Sequence, residues 1–160
     1  MAKKAKQARK TGKRTVRVRP VRWLLRHTLR IGGLFVGLIL AMVVVYAGLN
    51  PPTTHTIWSE GRRLAAVDRI WVDADYVAPV MLRSVVAAED ANFCTHWGFD
   101  MAAIRAAIAD GAARGGSTIS QQVVKNVYLW QDRSWLRKAL EAGMTPLVEA
   151  VWSKRRILEV

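Results

Sequence analysis

Pro79-Val80-Met81-Leu82-Arg83-Ser84-Val85-Val86-Ala87-Ala88-Glu89 is the stretch on which the fold is read. A proline is tolerated in the first turn of a helix, where its missing N–H has no intrahelical partner to lose, so Pro79 marks a helix start. Leu82, Val85, Val86 and Glu89 then share one face at helical spacing. A carboxylate ending an apolar stripe is unusual: desolvation there would disfavour its charged form and raise its pKa toward the range useful for proton transfer.

The same punctuation repeats downstream. Asp100 suits the N-cap of a helix with Met101, Ile104 and Ile108 on one side, and Gly111 suits its end. Ala112-Ala113-Arg114-Gly115-Gly116 reads as a flexible connection. Thr118-Ile119-Ser120-Gln121 fits the capping box of a helix running to about Trp130. On that helix Gln121, Gln122 and Lys125 form a polar face opposite Val123, Val127 and Tyr128. Ser134 is the next N-cap, ahead of a helix in which Arg137, Lys138 and Glu141 cluster while Leu136, Leu140, Leu147 and Val151 keep helical spacing. Pro146 is expected to kink or break it. Arg69 to Val72 is a short extended candidate, but no segment sustains the period-two alternation that a substantial sheet requires, so the fold is expected to be mainly α.

Residues 1–30 hold twelve Lys and Arg and no acidic residue, whereas the rest of the chain is nearly balanced, so the net charge of +13 belongs almost entirely to the tail. Nineteen uncharged residues follow, Ile31 to Leu49, close to the roughly 20 that a helix needs to cross a hydrocarbon core. The expected order is a basic cytoplasmic tail (1–30), a transmembrane helix (31–49), a polar linker (50–70) opened by Asn50-Pro51-Pro52-Thr53-Thr54, and a folded domain (71–160). A Lys/Arg-rich flank stays inside, which places everything after Asn50 outside the cytoplasm. A signal peptide cut after Ala47 is the alternative, although signal cores are usually shorter. Basic tails also bind nucleic acid through phosphates, but no base-reading module accompanies this one, and no nucleic-acid partner is expected. Gly33 and Gly37 form a GxxxG spacing, common in membrane helices, that permits close approach of a second helix. Cys94 is the sole cysteine, which excludes an intrachain disulfide and a cysteine-based zinc site.

Three blocks carry a resemblance. Glu89-Asp90-Ala91-Asn92-Phe93-Cys94-Thr95-His96-Trp97-Gly98-Phe99-Asp100 resembles the motif E-D-x-x-F-x-x-H-x-G-x-D. Gly115-Gly116-Ser117-Thr118-Ile119-Ser120-Gln121-Gln122-Val123-Val124-Lys125-Asn126 resembles G-G-S-T-x-[TS]-Q-Q-x-x-K-N, and Arg137-Lys138-Ala139-Leu140-Glu141 resembles R-K-x-x-E. These are motifs of the family 51 glycosyltransferases, the peptidoglycan polymerases, and one span without a visible transpeptidase region resembles their monofunctional biosynthetic transglycosylases. The resemblance implies a lysozyme-like helical glycosyltransferase domain behind a single amino-terminal transmembrane helix. It also implies a smaller, partly membrane-embedded lobe. Lys154 to Val160 resembles the start of a fourth motif, so the chain is expected to lack later helices, leaving Leu147, Val151 and Ile157 uncovered. Thr145-Pro146 departs from the family pattern.

The implied partners are the lipid-linked peptidoglycan precursor, the growing glycan chain, the membrane and other cell-wall synthesis proteins. The implied location is the inner membrane, with the amino terminus cytoplasmic and the catalytic domain periplasmic. Joining two lipid-linked disaccharides requires the acceptor's 4-hydroxyl to attack an anomeric carbon whose leaving group is a lipid diphosphate. The resemblance makes Glu89 the base and implies inversion to a β-1,4 bond. A diphosphate needs no general acid, so Lys125, Arg137 and Lys138 fit as electrostatic stabilisers of its departure. The resemblance gives Glu141 a role orienting the diphosphate, directly or through a divalent cation such as magnesium, although the sequence has no independent metal motif. A surface ion pair with Arg137 and Lys138 is the alternative for Glu141. Asp90, Phe93 and His96 resemble residues that shape the acceptor side, with a structural histidine as the alternative for His96. Ser117, Thr118, Gln121, Gln122 and Asn126 complete the expected substrate-binding set. Ordinary packing is expected of Trp97, Trp130, Trp135 and Trp152. An inactive fragment or scaffold of that glycosyltransferase family is the first alternative reading. A membrane-anchored lysozyme-like wall hydrolase is the competing enzyme class, but neutral glycan would not require the cations.

Overall fold

The computed structural model describes residues 20–111 and 115–160. Most of the basic tail, and Ala112-Ala113-Arg114 of the expected connection, lie outside the described residues. Every regular element among the described residues is helical, and Arg69 to Val72 is irregular rather than a strand.

Helix α1 spans Pro20–Tyr46, starting eleven residues before the expected span and ending three residues short of it. At 27 residues it exceeds the roughly 20 needed to cross a bilayer core, and its apolar window is 6% buried. The chain divides into two compact units, Met1–Leu38 and Ile39–Val160. In the first, the described residues belong to α1, and Leu24, Leu25, Leu29, Ile31, Leu34 and Phe35 are exposed.

The second unit holds the end of α1 and α2 (His55–Leu64), a 3-10 turn (Ala74–Tyr76), α3 (Pro79–Glu89), α4 (Met101–Ala109), α5 (Ile119–Tyr128), α6 (Trp135–Val151) and α7 (Lys154–Glu159). Its core gathers Phe93, Ile119, Val123, Val124, Val127, Met144, Val148, Trp152 and Ile157 around Val43 of α1. Ile119, Val123 and Val127 follow one another at spacing four on α5, so the helix turns a continuous apolar stripe inward.

Local chemistry sets the helix ends. Pro79 occupies the first turn of α3. The Asp100 carboxylate accepts from the N–H groups of Ala102 and Ala103, both at 2.9 Å, and opens α4. Thr118 and Gln121 form the capping box of α5, and Ser134 caps α6 through the Arg137 N–H. These side chains satisfy N–H groups that the first helical turn leaves without partners.

Three expectations need correction. The supposed linker contains α2, capped by Thr54 and held by Thr56, whose hydroxyl donates to the Asn126 carbonyl at 3.1 Å. Pro146 does not break α6, which runs unbroken through it. The carbonyl that loses its partner belongs to Ala142, on the exposed side and open to water, and the Thr145 hydroxyl donates to the neighbouring Glu141 carbonyl at 2.7 Å. Ile157 is fully buried, because α7 turns back from α6 and packs on α5, whereas Leu147 and Val151 stay exposed.

Arg156, on α7, gathers the chain that leaves α1. Its guanidinium donates to the carbonyls of Tyr46 at 3.0 Å and Leu49 at 2.8 Å, to Asn50 Oδ1 at 2.8 Å and to Glu159 at 2.8 Å. Its planar fork meets several oxygens at once, including orphan carbonyls of the helix end. The indole N–H of Trp152 meets the Val43 carbonyl at 2.7 Å, so two buried side chains hold this end of α1.

Candidate active site

Glu89 is the last residue of α3 and is exposed, so the desolvated carboxylate expected from the apolar stripe is not found. Instead it is held by a hydrogen bond: Gln122 Nε2 donates to Glu89 Oε2 at 2.9 Å. Gln122 lies on α5, and Lys125 follows it by three residues on the same face. Lys125 is half-buried, and no hydrogen bond or ion pair occupies its ammonium among the described residues.

Behind Glu89 the loop is built from buried polar contacts. The Asp90 carboxylate meets His96 Nε2 at 2.8 Å and accepts from the Ile119 N–H at 3.0 Å. The Gly98 N–H donates to His96 Nδ1 at 3.2 Å, which leaves Nε2 as the protonated nitrogen, donating to Asp90. Asn92 donates to Asp100 at 2.7 Å. The Asp100 carboxyl is therefore held below its usual range, first by the Ala103 N–H and then by Asn92. The Thr118 hydroxyl donates to the Gly98 carbonyl at 2.7 Å.

The third block forms a separate charged cluster on α6. Glu141 is 2% exposed, and its two oxygens face Arg137, at 2.5 Å, and Lys138. Glu141 is thus the ion-pair partner of both Arg137 and Lys138, with its carboxylate buried rather than at the surface. Arg137 also donates to the Asp132 carbonyl, and Lys138 reaches Ser117 Oγ at 3.3 Å. Two cations against one carboxylate leave the cluster net positive. Ser117 directly precedes the cap of α5, so the cluster abuts the element that holds Glu89.

The structure thus joins Glu89 to Gln122, with Lys125 one turn further along the same helix face, and separately joins Arg137, Lys138, Glu141 and Ser117. It places Asp90, Phe93, Thr118 and Gln121 in the interior, where they hold the site from behind: Phe93 is core, and Gln121 accepts the Thr118 N–H in the capping box. Asn126 is exposed, with its side-chain oxygen accepting from Gln131 at 3.1 Å. Trp152 packs as expected, but Trp97 and Trp135 are exposed, at 62% and 91%.

Sequence reasoning missed one group. Ser120 and Lys154 both donate to the buried Glu149 carboxylate, and Lys154 Nζ also donates to the His96 carbonyl at 2.8 Å. No short spacing signals these contacts, which join residues up to 58 positions apart. Among the described residues no three His, Cys, Asp or Glu side chains gather as metal ligands. Both oxygens of Glu141 are already in ion pairs.

A family model described as Transglycosylase matches residues 57–160, and the chain belongs to that family. It is 58% identical to a biosynthetic peptidoglycan transglycosylase of Jannaschia sp., over 98% of this chain and 66% of that protein. Proteins of the same name from Cronobacter sakazakii and Rhodospirillum centenum are 43% and 46% identical, over 89% and 77% of this chain and 62% and 55% of theirs. The chain thus spans between about half and two thirds of the length of these relatives.

Proposed function

We propose that the chain is the anchor and part of the catalytic domain of a peptidoglycan glycosyltransferase, which polymerises lipid-linked disaccharide-peptide into β-1,4 glycan and releases polyprenyl diphosphate. The single observation that carries the reading is on α5: Gln122, which holds the exposed Glu89, and Lys125, whose ammonium is unpaired among the described residues, share one helix face. A base and a cation are what this transfer needs on its two sides.

Glu89 takes the proton of the acceptor 4-hydroxyl as that oxygen bonds to the donor's anomeric carbon. The bond from that carbon to the diphosphate breaks, and the electron pair leaves with an oxygen facing Lys125 and the net-positive Arg137, Lys138 and Glu141 cluster. Fixed cations stabilise charge where it gathers during departure. The attack inverts the anomeric centre. Both Glu141 oxygens face Arg137 and Lys138, so in this reading the side-chain cations carry the stabilisation of the diphosphate.

The reading includes an inner-membrane location with α1 as the span, the basic tail inside and the catalytic domain in the periplasm. The one-sided charge of the tail supports that orientation. Product chemistry tests the function. The protein in detergent is given lipid-linked disaccharide in one reaction and finished glycan in another. Polymer and polyprenyl diphosphate from the first, with the second untouched, is the expected result. Fragments from finished glycan would instead assign a lysozyme-like hydrolase.

A further inference from the structure

The loop from Asp90 to Gly98 joins Glu89 to α4, and three elements grip it. α5 supplies the Ile119 N–H to Asp90 and the Thr118 hydroxyl to the Gly98 carbonyl. α6 presses on Gly98, where a Cβ would stand 2.7 Å from Thr145 Cγ2 and 3.1 Å from Glu149 Cγ. α7 supplies Lys154, whose ammonium donates to the His96 carbonyl at 2.8 Å and lies 4.5 Å from the Phe93 ring centroid.

The third grip is charged. Glu149 is buried on α6 and accepts from both Lys154 and Ser120. The carboxylate fixes the ammonium, and the ammonium fixes the carbonyl of the residue whose ring holds Asp90, the neighbour of Glu89. We propose that Lys154, oriented by Glu149, is a positioning residue for Glu89. It fixes the loop through the His96 carbonyl and so keeps the base aimed while Gln122 holds its carboxylate. Lys154 itself touches no reacting atom. The proposal rests on the glycosyltransferase reading of the same site.

Glu149 is buried and Lys154 partly exposed, so replacing both together by neutral side chains of similar size costs little net stability, whereas loss of Lys154 alone leaves the Glu149 charge uncompensated. The test therefore uses Lys154→Met/Glu149→Gln beside Lys154→Met, in the full chain in detergent, with polymerisation of lipid-linked disaccharide as the assay. The double variant is expected to melt within a few degrees of the unaltered protein and to keep its KM. Its kcat should fall at least about tenfold, because small misplacements of a catalytic group lose large factors in rate. The nitrogen shifts of His96 should lose the single Nε2-protonated tautomer as the loop loosens. Unchanged kcat and an unchanged His96 tautomer in a folded double variant would overturn the proposal. So would equal losses of kcat in the double variant and of folded protein. Glu89→Gln in the same assay keeps the two readings apart: an inactive Glu89→Gln beside a fully active double variant overturns only the role of Lys154. An active Glu89→Gln overturns the base assignment.

Discussion

Gln122 of α5 donates its side-chain amide to the Glu89 carboxylate at the end of α3. The contact is solvent-exposed and adds little to stability, so its effect is to hold the carboxylate in place, and small misplacements of a catalytic group lose large factors in rate. Gln122→Ala is therefore expected to lower kcat/KM for lipid-linked disaccharide at least about tenfold while leaving the melting temperature within a few degrees. Unchanged kcat/KM would show that the contact does not aim the base.

Gly98 has φ +88° and faces Thr145 across the α6 contact. Gly98→Ala adds left-handed strain to overpacking, and should destabilise the protein by roughly 2–4 kcal/mol. Thr145→Ser keeps the hydroxyl that donates to Glu141 but removes the obstructing methyl. The pair Gly98→Ala/Thr145→Ser should lose less than the sum of the single changes in denaturant unfolding. Strict additivity would place the strain elsewhere.

Acid should weaken the fold through Asp100 and Glu159. Each is held below its usual range, Asp100 first by the Ala103 N–H and Glu159 first by the Ala74 N–H, with Arg156 second among the groups that favour the charge. A depressed folded pKa contributes stability that is fully present above the unfolded value, about 4, and is lost as pH falls through the lower folded value. Melting temperature should therefore drop below about pH 4.5, and Glu159→Gln should flatten that limb. An acid limb unaltered in Glu159→Gln would remove Glu159 from the account.

Arg156→Ala leaves the Tyr46 and Leu49 carbonyls and the Glu159 carboxylate without their shared donor. Breaking a buried charged contact from one side costs roughly 3–5 kcal/mol, so this variant should be among the least stable, and protease should cut near Asn50 more readily. A melting temperature near that of the unaltered chain would contradict the structural role given to the guanidinium.

What the sequence disclosed follows from the range of the interactions. The helix caps at Asp100, Thr118 with Gln121, and Ser134 are bonds across two or three residues, so their spacing is written in the chain. Arg137, Lys138 and Glu141 meet across one helical turn for the same reason. α2 was hidden behind Pro51-Pro52 and an interior Gly61, and its hold on Asn126 is 70 residues away. The exposure of Glu89 and the Glu149 and Lys154 grip depend on which helix passes behind the loop, which no local pattern encodes. α6 continues through Pro146 because the lost bond falls at exposed Ala142, where water replaces it.

The most direct measurement is polymerisation of lipid-linked disaccharide by the protein and by Glu89→Gln, side by side in one detergent, with circular dichroism and melting curves on both. Gln keeps the size of the side chain and its capacity to contact Gln122 but cannot act as a carboxylate base. The account predicts glycan polymer and released polyprenyl diphosphate from the unaltered protein, and a folded Glu89→Gln whose rate is lower by at least about a hundredfold, the range of general-base contributions. A Glu89→Gln protein that polymerises at the unaltered rate would contradict it.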